Sequence, residues 1–300
     1  MKKLSYLFLA SFIILSCDKD PIDPVDPNPP TPVTGPKLIF KFQFDNTQER
    51  LDAFGNVSTV PTGHGAISPT FNAISGHVIE LTPNASTAVG AGEMVYKGAE
   101  TTIGGDNAID FSQAKVVSAG EEFVSVPLSD IAAGTYEYCR VSITYQNYQI
   151  PFTFNGDDFD GTLASFVGFN QYLSTYTVRT DEDVVNENKL QGYWAFETHD
   201  ETLPVTVPLR TGQAPGTTVP NPINSTSPIP AGSCLVTGQF ANSGFTITGD
   251  ETEDIVIILS LSTNKSFEWT EVGTEDGKYD PAAGEEVVDM GLRGLLPIVQ

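Results

Sequence analysis

The sequence predicts an all-β protein with an antiparallel, β-sandwich-like fold. Two observations lead to this prediction. Apolar residues recur with a period of two through most of the chain, and glycine, proline, asparagine and aspartate separate nearly all of the apolar segments. A period of two places alternate side chains on opposite faces of a strand, so each segment has one face suited to a core.

The first predicted strand covers residues 38–45. Its even positions are all large and apolar, whereas Lys41 and Gln43 point to the other side. The same pattern predicts further strands at residues 77–81, 93–96, 122–128, 135–145, 148–154, 176–178, 190–197, 205–209, 234–240, 245–248, 255–262 and 266–272.

Residues 163–176 offer a helical alternative, but their aromatic content favours a strand. The chain from residue 37 to residue 300 is long enough for one large elaborated domain or for two packed β-modules. The acidic stretch near Asn155 marks where a division between two modules would fall. The sequence leaves both arrangements open.

In the strand predicted at 135–145, Cys139, Val141, Ile143 and Tyr145 share one face. Cys234 has the same inward character in a later strand. In an exported protein such an even pair can form a disulfide, closing a loop of about 95 residues and stabilising the fold by up to about 5 kcal/mol. The alternative is two separate buried thiols that act as small apolar residues.

The charge balance excludes two classes of function. The 15 Lys and Arg residues against 38 Asp and Glu give a formal net charge of −23. Nucleic-acid binding needs a basic patch that neutralises phosphates, and attachment to anionic lipids needs a polybasic segment. The sequence therefore predicts neither kind of partner.

Residues 1–16 are predicted to be a signal peptide. Lys2 and Lys3 precede an apolar run over residues 4–15, which is too short to span a bilayer. Ile14-Leu15-Ser16-Cys17 resembles a bacterial lipobox, and the resemblance implies cleavage before Cys17 and acylation of that residue. Two or three acyl chains would anchor the protein stably in a membrane.

Residues 17–36 are predicted to be a spacer between the membrane and the β-rich domain, residues 37–300. Seven prolines between residues 18 and 36 are typical of a semi-rigid polyproline segment. Asp18 and Asp20, directly after Cys17, resemble the export signal of surface lipoproteins of the Bacteroidota. That resemblance implies an outer-membrane protein facing the medium, the alternative being a periplasmic orientation.

The acidic segment at Asp157, Asp158 and Asp160 suits a hard cation, so Ca²⁺ is the candidate cofactor. It does not match an EF-hand loop. His64, His77 and His199 are scattered, without the spacing of a transition-metal site. The alternative for the three aspartates is a charged hairpin tip.

Tyr193 and Trp194 are the candidate ligand-binding residues, because an exposed aromatic ring is a platform for a sugar. By alternation, Trp194 shares an inward face with Phe196 and Tyr193 points outward. A buried role in the core is the alternative for both.

The sequence lacks the common motifs of catalytic serines, nucleotide phosphates and dinucleotides, so no catalytic residue is assigned. We expect a non-catalytic binding module, with a glycan as one candidate ligand and an outer-membrane protein as another candidate partner. The alternatives are a structural or adhesive surface protein and, third, a hydrolase with two facing carboxylates.

Overall fold

The computed structural model describes residues 35–52, 55–199, 209–214, 226–241 and 244–300, and the strands below are numbered in chain order. These residues form twenty strands in five sheets and contain no α-helix, which confirms the all-β prediction. Residues 35–300 form one compact unit. Asn155, the place where a division between two modules was possible, lies in a two-residue hairpin turn inside one sheet.

A seven-stranded sheet is the centre of the fold. Its order is β14-β13-β10-β9-β3-β4, and β15 pairs with the first half of β9. All its pairings are antiparallel. Its strands are β3 (Thr70–Thr82), β4 (Glu93–Lys97), β9 (Tyr138–Phe154), β10 (Asp157–Phe166), β13 (Tyr193–His199), β14 (Arg210–Gln213) and β15 (Cys234–Gln239).

Four smaller sheets surround it. The sheet β20-β17-β1-β7 consists of β1 (Lys37–Asp45), β7 (Glu122–Pro127), β17 (Ile255–Ser262) and β20 (Leu295–Val299). The sheet β12-β11-β6-β5 consists of β5 (Glu100–Thr101), β6 (Ala108–Asp110), β11 (Asn170–Thr177) and β12 (Glu182–Leu190). The sheet β19-β18-β2 consists of β2 (His64–Ile67), β18 (Phe267–Thr270) and β19 (Glu286–Asp289), and the last pair is β8 (Gly134–Tyr136) and β16 (Phe245–Ile247).

Both faces of the central sheet are covered, and this decides which side chains are buried. On β10, Leu163 packs in a cluster with Phe267 and Trp269 of β18, while the next residue, Ala164, packs in a cluster with Leu173 of β11. A third and larger cluster joins the upstream half of β9 to β1 and β17. A strand with two buried faces has no outward side for the alternation rule to identify.

A β-bulge at Thr144 changes the direction of the side chains along β9. Tyr145 pairs with Ser75 and Ile143 pairs with Gly76, so Thr144 is an extra residue on β9. Its carbonyl oxygen accepts hydrogen bonds from the backbone N–H of Val167 (2.8 Å) and the side-chain amide of Gln171 (2.6 Å). Ile143 therefore lies in the first cluster and Tyr145 in the cluster on the other face.

Because of the bulge, one of the predicted strand faces is wrong. Cys139, Val141 and Ile143 share a face as predicted, but Tyr145 does not. The two strands predicted at 135–145 and 148–154 are in fact β8 and the single long strand β9. The region with a helical alternative forms parts of β10 and β11, and most of the strand predicted at 205–209 lies outside the described residues.

Candidate functional site

The predicted disulfide between Cys139 and Cys234 is wrong, because both thiols are free. The two residues lie on neighbouring strands, but Cys139 pairs with Gly238 and Cys234 with Ile143. Four positions of register separate the cysteines by about 13 Å at ~3.3 Å per residue, whereas a disulfide needs Cα atoms within about 7 Å. Burial raises the pKa of Cys234 to about 11, which keeps this thiol protonated at neutral pH.

The predicted calcium ligands are not brought together. Asn155 and Gly156 form the turn between β9 and β10, and alternation along β10 then places Asp157 on the face opposite to Asp158 and Asp160. The Asp158 carboxylate accepts hydrogen bonds from Lys278 Nζ (3.0 Å) and Thr153 Oγ1 (2.9 Å). Among the described residues, no three His, Cys, Asp or Glu side chains converge as a metal site would require. The segment is a charged hairpin tip.

The two aromatic candidates face the reverse of the predicted directions. The Tyr193 side chain is 7% exposed and packs in the cluster between the central sheet and β11. Its hydroxyl lies 3.2 Å from that of Tyr176. Tyr193 is therefore a core residue and not the outward platform that the sequence predicts.

Trp194, by contrast, is partly exposed on the other face of β13. It pairs directly with Gly212 of β14, and a Cβ atom at residue 212 would lie 2.3 Å from Cζ2 of the indole. The ring therefore lies across the glycine backbone, close to the sheet. A side chain at residue 212 would displace it, so the glycine is what permits this orientation.

Further aromatic side chains lie on the same face of the central sheet as Trp194. Phe196 crosses Gly161 in the same manner, since a Cβ atom there would lie 2.1 Å from Cζ of the phenyl ring. The ring of Phe152 is 5.3 Å from that of Phe196 and 5.6 Å from that of Phe159. Arg210 pairs with Phe196, is exposed, and adds a cation to the edge of the sheet. Phe152 is buried, at 8% exposure. We call the four residues that are at least partly exposed, Trp194, Phe196, Phe159 and Arg210, the Trp194 surface.

A second site was not found from the sequence, because its residues are far apart in the chain. Glu268 of β18 is 4% exposed, and Arg50, His64 and Arg293 surround its carboxylate. His64 Nδ1 lies 2.6 Å from Oε1, Arg293 Nη2 lies 3.1 Å from Oε2, and Arg50 Nη2 contacts the same Oε2. A buried carboxylate needs such partners to compensate for its lost hydration.

The same group extends to Asp289 of β19. Arg293 Nη2 lies 2.5 Å from Asp289 Oδ2, so this guanidinium bridges two carboxylates. Burial raises the pKa of Asp289, although the positive charge of Arg293 acts in the opposite direction. Two cations and two anions, with His64 beside them, leave the network close to neutral.

A pocket of about 260 Å³ opens beside Arg50. Arg50 Nε donates to the carbonyl oxygen of Lys265 (3.3 Å), and Nη1 donates to Ser58 Oγ (3.1 Å). These bonds and the contact with Glu268 fix the guanidinium at the pocket wall. Thr59 and Asn264 also line the pocket, which we call the Arg50 pocket.

One pair of carboxyl groups, Glu271 and Glu285, has a structural role. Burial, followed by the negative charge of Glu285, raises the pKa of Glu271. Each also accepts backbone N–H groups of the loop after β18, from Gly277 to Glu271 (3.1 Å) and from Asp280 to Glu285 (2.6 Å). Both carboxylates therefore hold this loop through its backbone N–H groups.

Cys17, the residue predicted to be acylated, lies outside the described residues, as does most of the predicted spacer. Within the part of the chain that the structure describes, no helix is long and apolar enough to cross a bilayer. The comparisons with known proteins returned no matching family model, no matching curated protein and no matching solved structure.

Proposed function

We propose that this protein is a non-catalytic carbohydrate-binding module, anchored to the outer membrane by acyl chains on Cys17 and facing the medium. The anchor and the orientation depend on the lipobox-like and acidic residues at the N-terminus. The binding role depends on the Trp194 surface.

The observation that carries the proposal is the orientation of the Trp194 indole. The indole lies across the backbone of Gly212 and packs against the cluster that contains Leu163 and Trp269, and the residue stays partly exposed to solvent. Sugar rings have flat apolar faces that stack on such a surface, and their hydroxyl groups accept hydrogen bonds from donors beside it. Arg210 supplies donors at the edge of the sheet.

Affinity electrophoresis tests this role. The protein is run through native gels that contain soluble starch, xylan, mannan or a mixed-linkage β-glucan, and we expect at least one polymer to retard it. Trp194→Ala should weaken that binding by about tenfold, because a stacked ring contributes roughly 0.5 to 1.5 kcal/mol beyond the area it buries. Trp194→Phe, which keeps a smaller ring, should have an intermediate effect.

Tyr172→Ala is the matched control, since Tyr172 is a partly buried aromatic residue in a different sheet. This variant should bind like the unmodified protein. Retardation by none of the four polymers would contradict the carbohydrate proposal. Equal binding by Trp194→Ala and Tyr172→Ala, with circular dichroism showing that both are folded, would exclude the Trp194 surface.

A further inference from the structure

The Arg50 pocket carries one cation that forms no ion pair among the described residues. Arg50, Lys265 and Arg293 are three of the 12 Lys and Arg residues in the described ranges, and they lie within one small region with His64, but both arginines are paired with carboxylates. The full chain has a formal net charge of −23. In so acidic a protein, a local cation that no carboxylate neutralises has a large effect on where an anionic ligand binds.

Lys265 is the cation of the pocket that is free to bind. Arg50 and Arg293 both contact Glu268, whereas no ion pair of the described residues uses Lys265. Its side chain is exposed and lines the pocket. The ammonium group is therefore available for a carboxylate from outside the protein.

The backbone holds Lys265 in an unfavourable conformation. Its φ is +49°, and the other non-glycine residues with positive φ in the described ranges are two asparagines, which tolerate this region better. The main chain is fixed on both sides: its N–H donates to Ser68 Oγ (2.9 Å), and its carbonyl accepts from Arg50 Nε. A lysine kept where glycine would be less strained indicates a role for the side chain.

The other residues that line the pocket indicate which groups the ligand has besides a carboxylate. Glu49 is exposed and also lines the pocket without pairing with Lys265. Carboxylate, hydroxyl and amide groups of Glu49, Ser58, Thr59 and Asn264 can accept hydrogen bonds from ligand hydroxyls. A volume of about 260 Å³ lies just below the ~300 to 1,000 Å³ of pockets for drug-sized ligands, which points to a single ring.

We propose that the Arg50 pocket binds a sugar acid, with the ligand carboxylate on Lys265 and its hydroxyl groups towards Glu49. The ligand is one uronate residue, either free or at the end of an acidic polysaccharide. This site is separate from the Trp194 surface, so the inference goes beyond the proposed function and does not depend on it.

Isothermal titration calorimetry with sodium glucuronate and with glucose tests the site. The two probes share a ring and differ by the carboxylate. We expect glucuronate to bind about tenfold more tightly than glucose, the factor that corresponds to one charge-assisted hydrogen bond. The preference should shrink between 50 mM and 500 mM NaCl because salt screens exposed charges. A galacturonate oligomer that binds more tightly than the monomer would identify the polymer as the source.

Two substitutions should act in opposite directions. Lys265→Ala should abolish the preference for glucuronate, while Glu49→Gln should strengthen glucuronate binding by removing a negative charge from the lining. Lys265→Gly separates binding from folding, because glycine relieves the strain at φ +49° and should not lower the melting temperature. This variant should lose the preference while remaining folded.

The matched control is Lys115→Ala, which removes an exposed lysine outside the pocket and should keep the preference. Equal affinity of the unmodified protein for glucose and glucuronate would overturn the inference, as would an unchanged preference in Lys265→Ala. Trp194→Ala should leave glucuronate binding intact, so failure at one site is distinguishable from failure at the other.

Discussion

His77 is a titratable residue of β3 whose side chain is buried. Neither ring nitrogen has a hydrogen-bond partner among the described residues, although Nε2 lies 3.2 Å from Glu100 Oε1. The ring packs against Phe169, with the centroids 5.7 Å apart. Burial lowers the pKa of His77 to about 4; the charge of Glu100 acts in the opposite direction, and that of Lys97 adds to the lowering.

The lowered pKa of His77 predicts that the protein loses stability in mild acid. The unfolded chain has an ordinary histidine pKa near 6.5, so the contribution of neutral His77 is complete above pH 6.5 and is lost as the pH falls towards 4. The shift corresponds to roughly 3 kcal/mol at most. We expect His77→Gln to flatten the pH dependence of the free energy of unfolding between pH 6.5 and 4, measured by urea denaturation.

The comparison for this experiment is His199→Gln, which removes a partly exposed histidine whose Nε2 lies 2.7 Å from Thr162 Oγ1. It should change the slope less. An equally steep decline in the unmodified protein and in His77→Gln would show that other groups cause the acid sensitivity.

Among the strands, a recurring arrangement places a tryptophan directly opposite a glycine. Trp194 pairs with Gly212, and Trp269 pairs with Gly65. A Cβ atom at residue 65 would lie 2.4 Å from Cε2 and Cζ2 of Trp269, which is fully buried. In both pairs the indole occupies the space that a cross-strand side chain would otherwise take.

Gly65→Ala should therefore destabilise the protein. The methyl group overlaps the Trp269 ring, and overpacking of a core typically costs about 1 to 3 kcal/mol. The measurement is the midpoint of urea denaturation. Gly134→Ala is the matched control, because Gly134 also lies in a strand but nothing lies within 4 Å of an added Cβ atom. If the two variants unfold at the same urea concentration, the Trp269–Gly65 packing does not determine stability here.

The strands also show what could be predicted from the sequence and what could not. The apolar segments of the sequence identify β1, β4, β7, β15 and β17 to within one residue at each end. The prediction of strand faces fails at Thr144, where one extra residue reverses the faces of β9, and at Tyr193, where alternation along β13 is regular but the buried face is the one that carries Tyr193 and Ala195. The Arg50 pocket could not be predicted from the sequence. Arg50 contacts Lys265 and Glu268, and both are more than 200 residues away from it in the chain. The sequence signal that Arg50 and Lys265 share is the scarcity of cations, since the chain has 15 Lys and Arg residues against 38 Asp and Glu.

At the scale of the whole molecule, the acidic charge and the N-terminal segment act together. If residues 1–16 are removed as the proposed signal peptide, Lys2 and Lys3 are lost and the remaining side chains carry 13 − 38 = −25. Most of this charge belongs to the β-rich domain, and it repels an anionic cell surface. The acyl chains and the spacer would then hold the protein at a membrane from which its domain is repelled. A domain held away from the bilayer leaves the Trp194 surface and the Arg50 pocket accessible to polymers in the medium.

The proposed acylation of Cys17 predicts where the protein is found after cell fractionation. Cys17→Ser removes the thiol that would carry the lipid, so the protein should move from the outer-membrane fraction to the soluble fraction and lose incorporation of radiolabelled palmitate. Cys234→Ser is the matched control, because it removes a cysteine of the β-rich domain and should leave both readouts unchanged. On intact cells, added protease should digest the unmodified protein if it faces the medium and spare it if it faces the periplasm. Palmitate incorporation that persists in Cys17→Ser would contradict the assignment of the anchor to this residue.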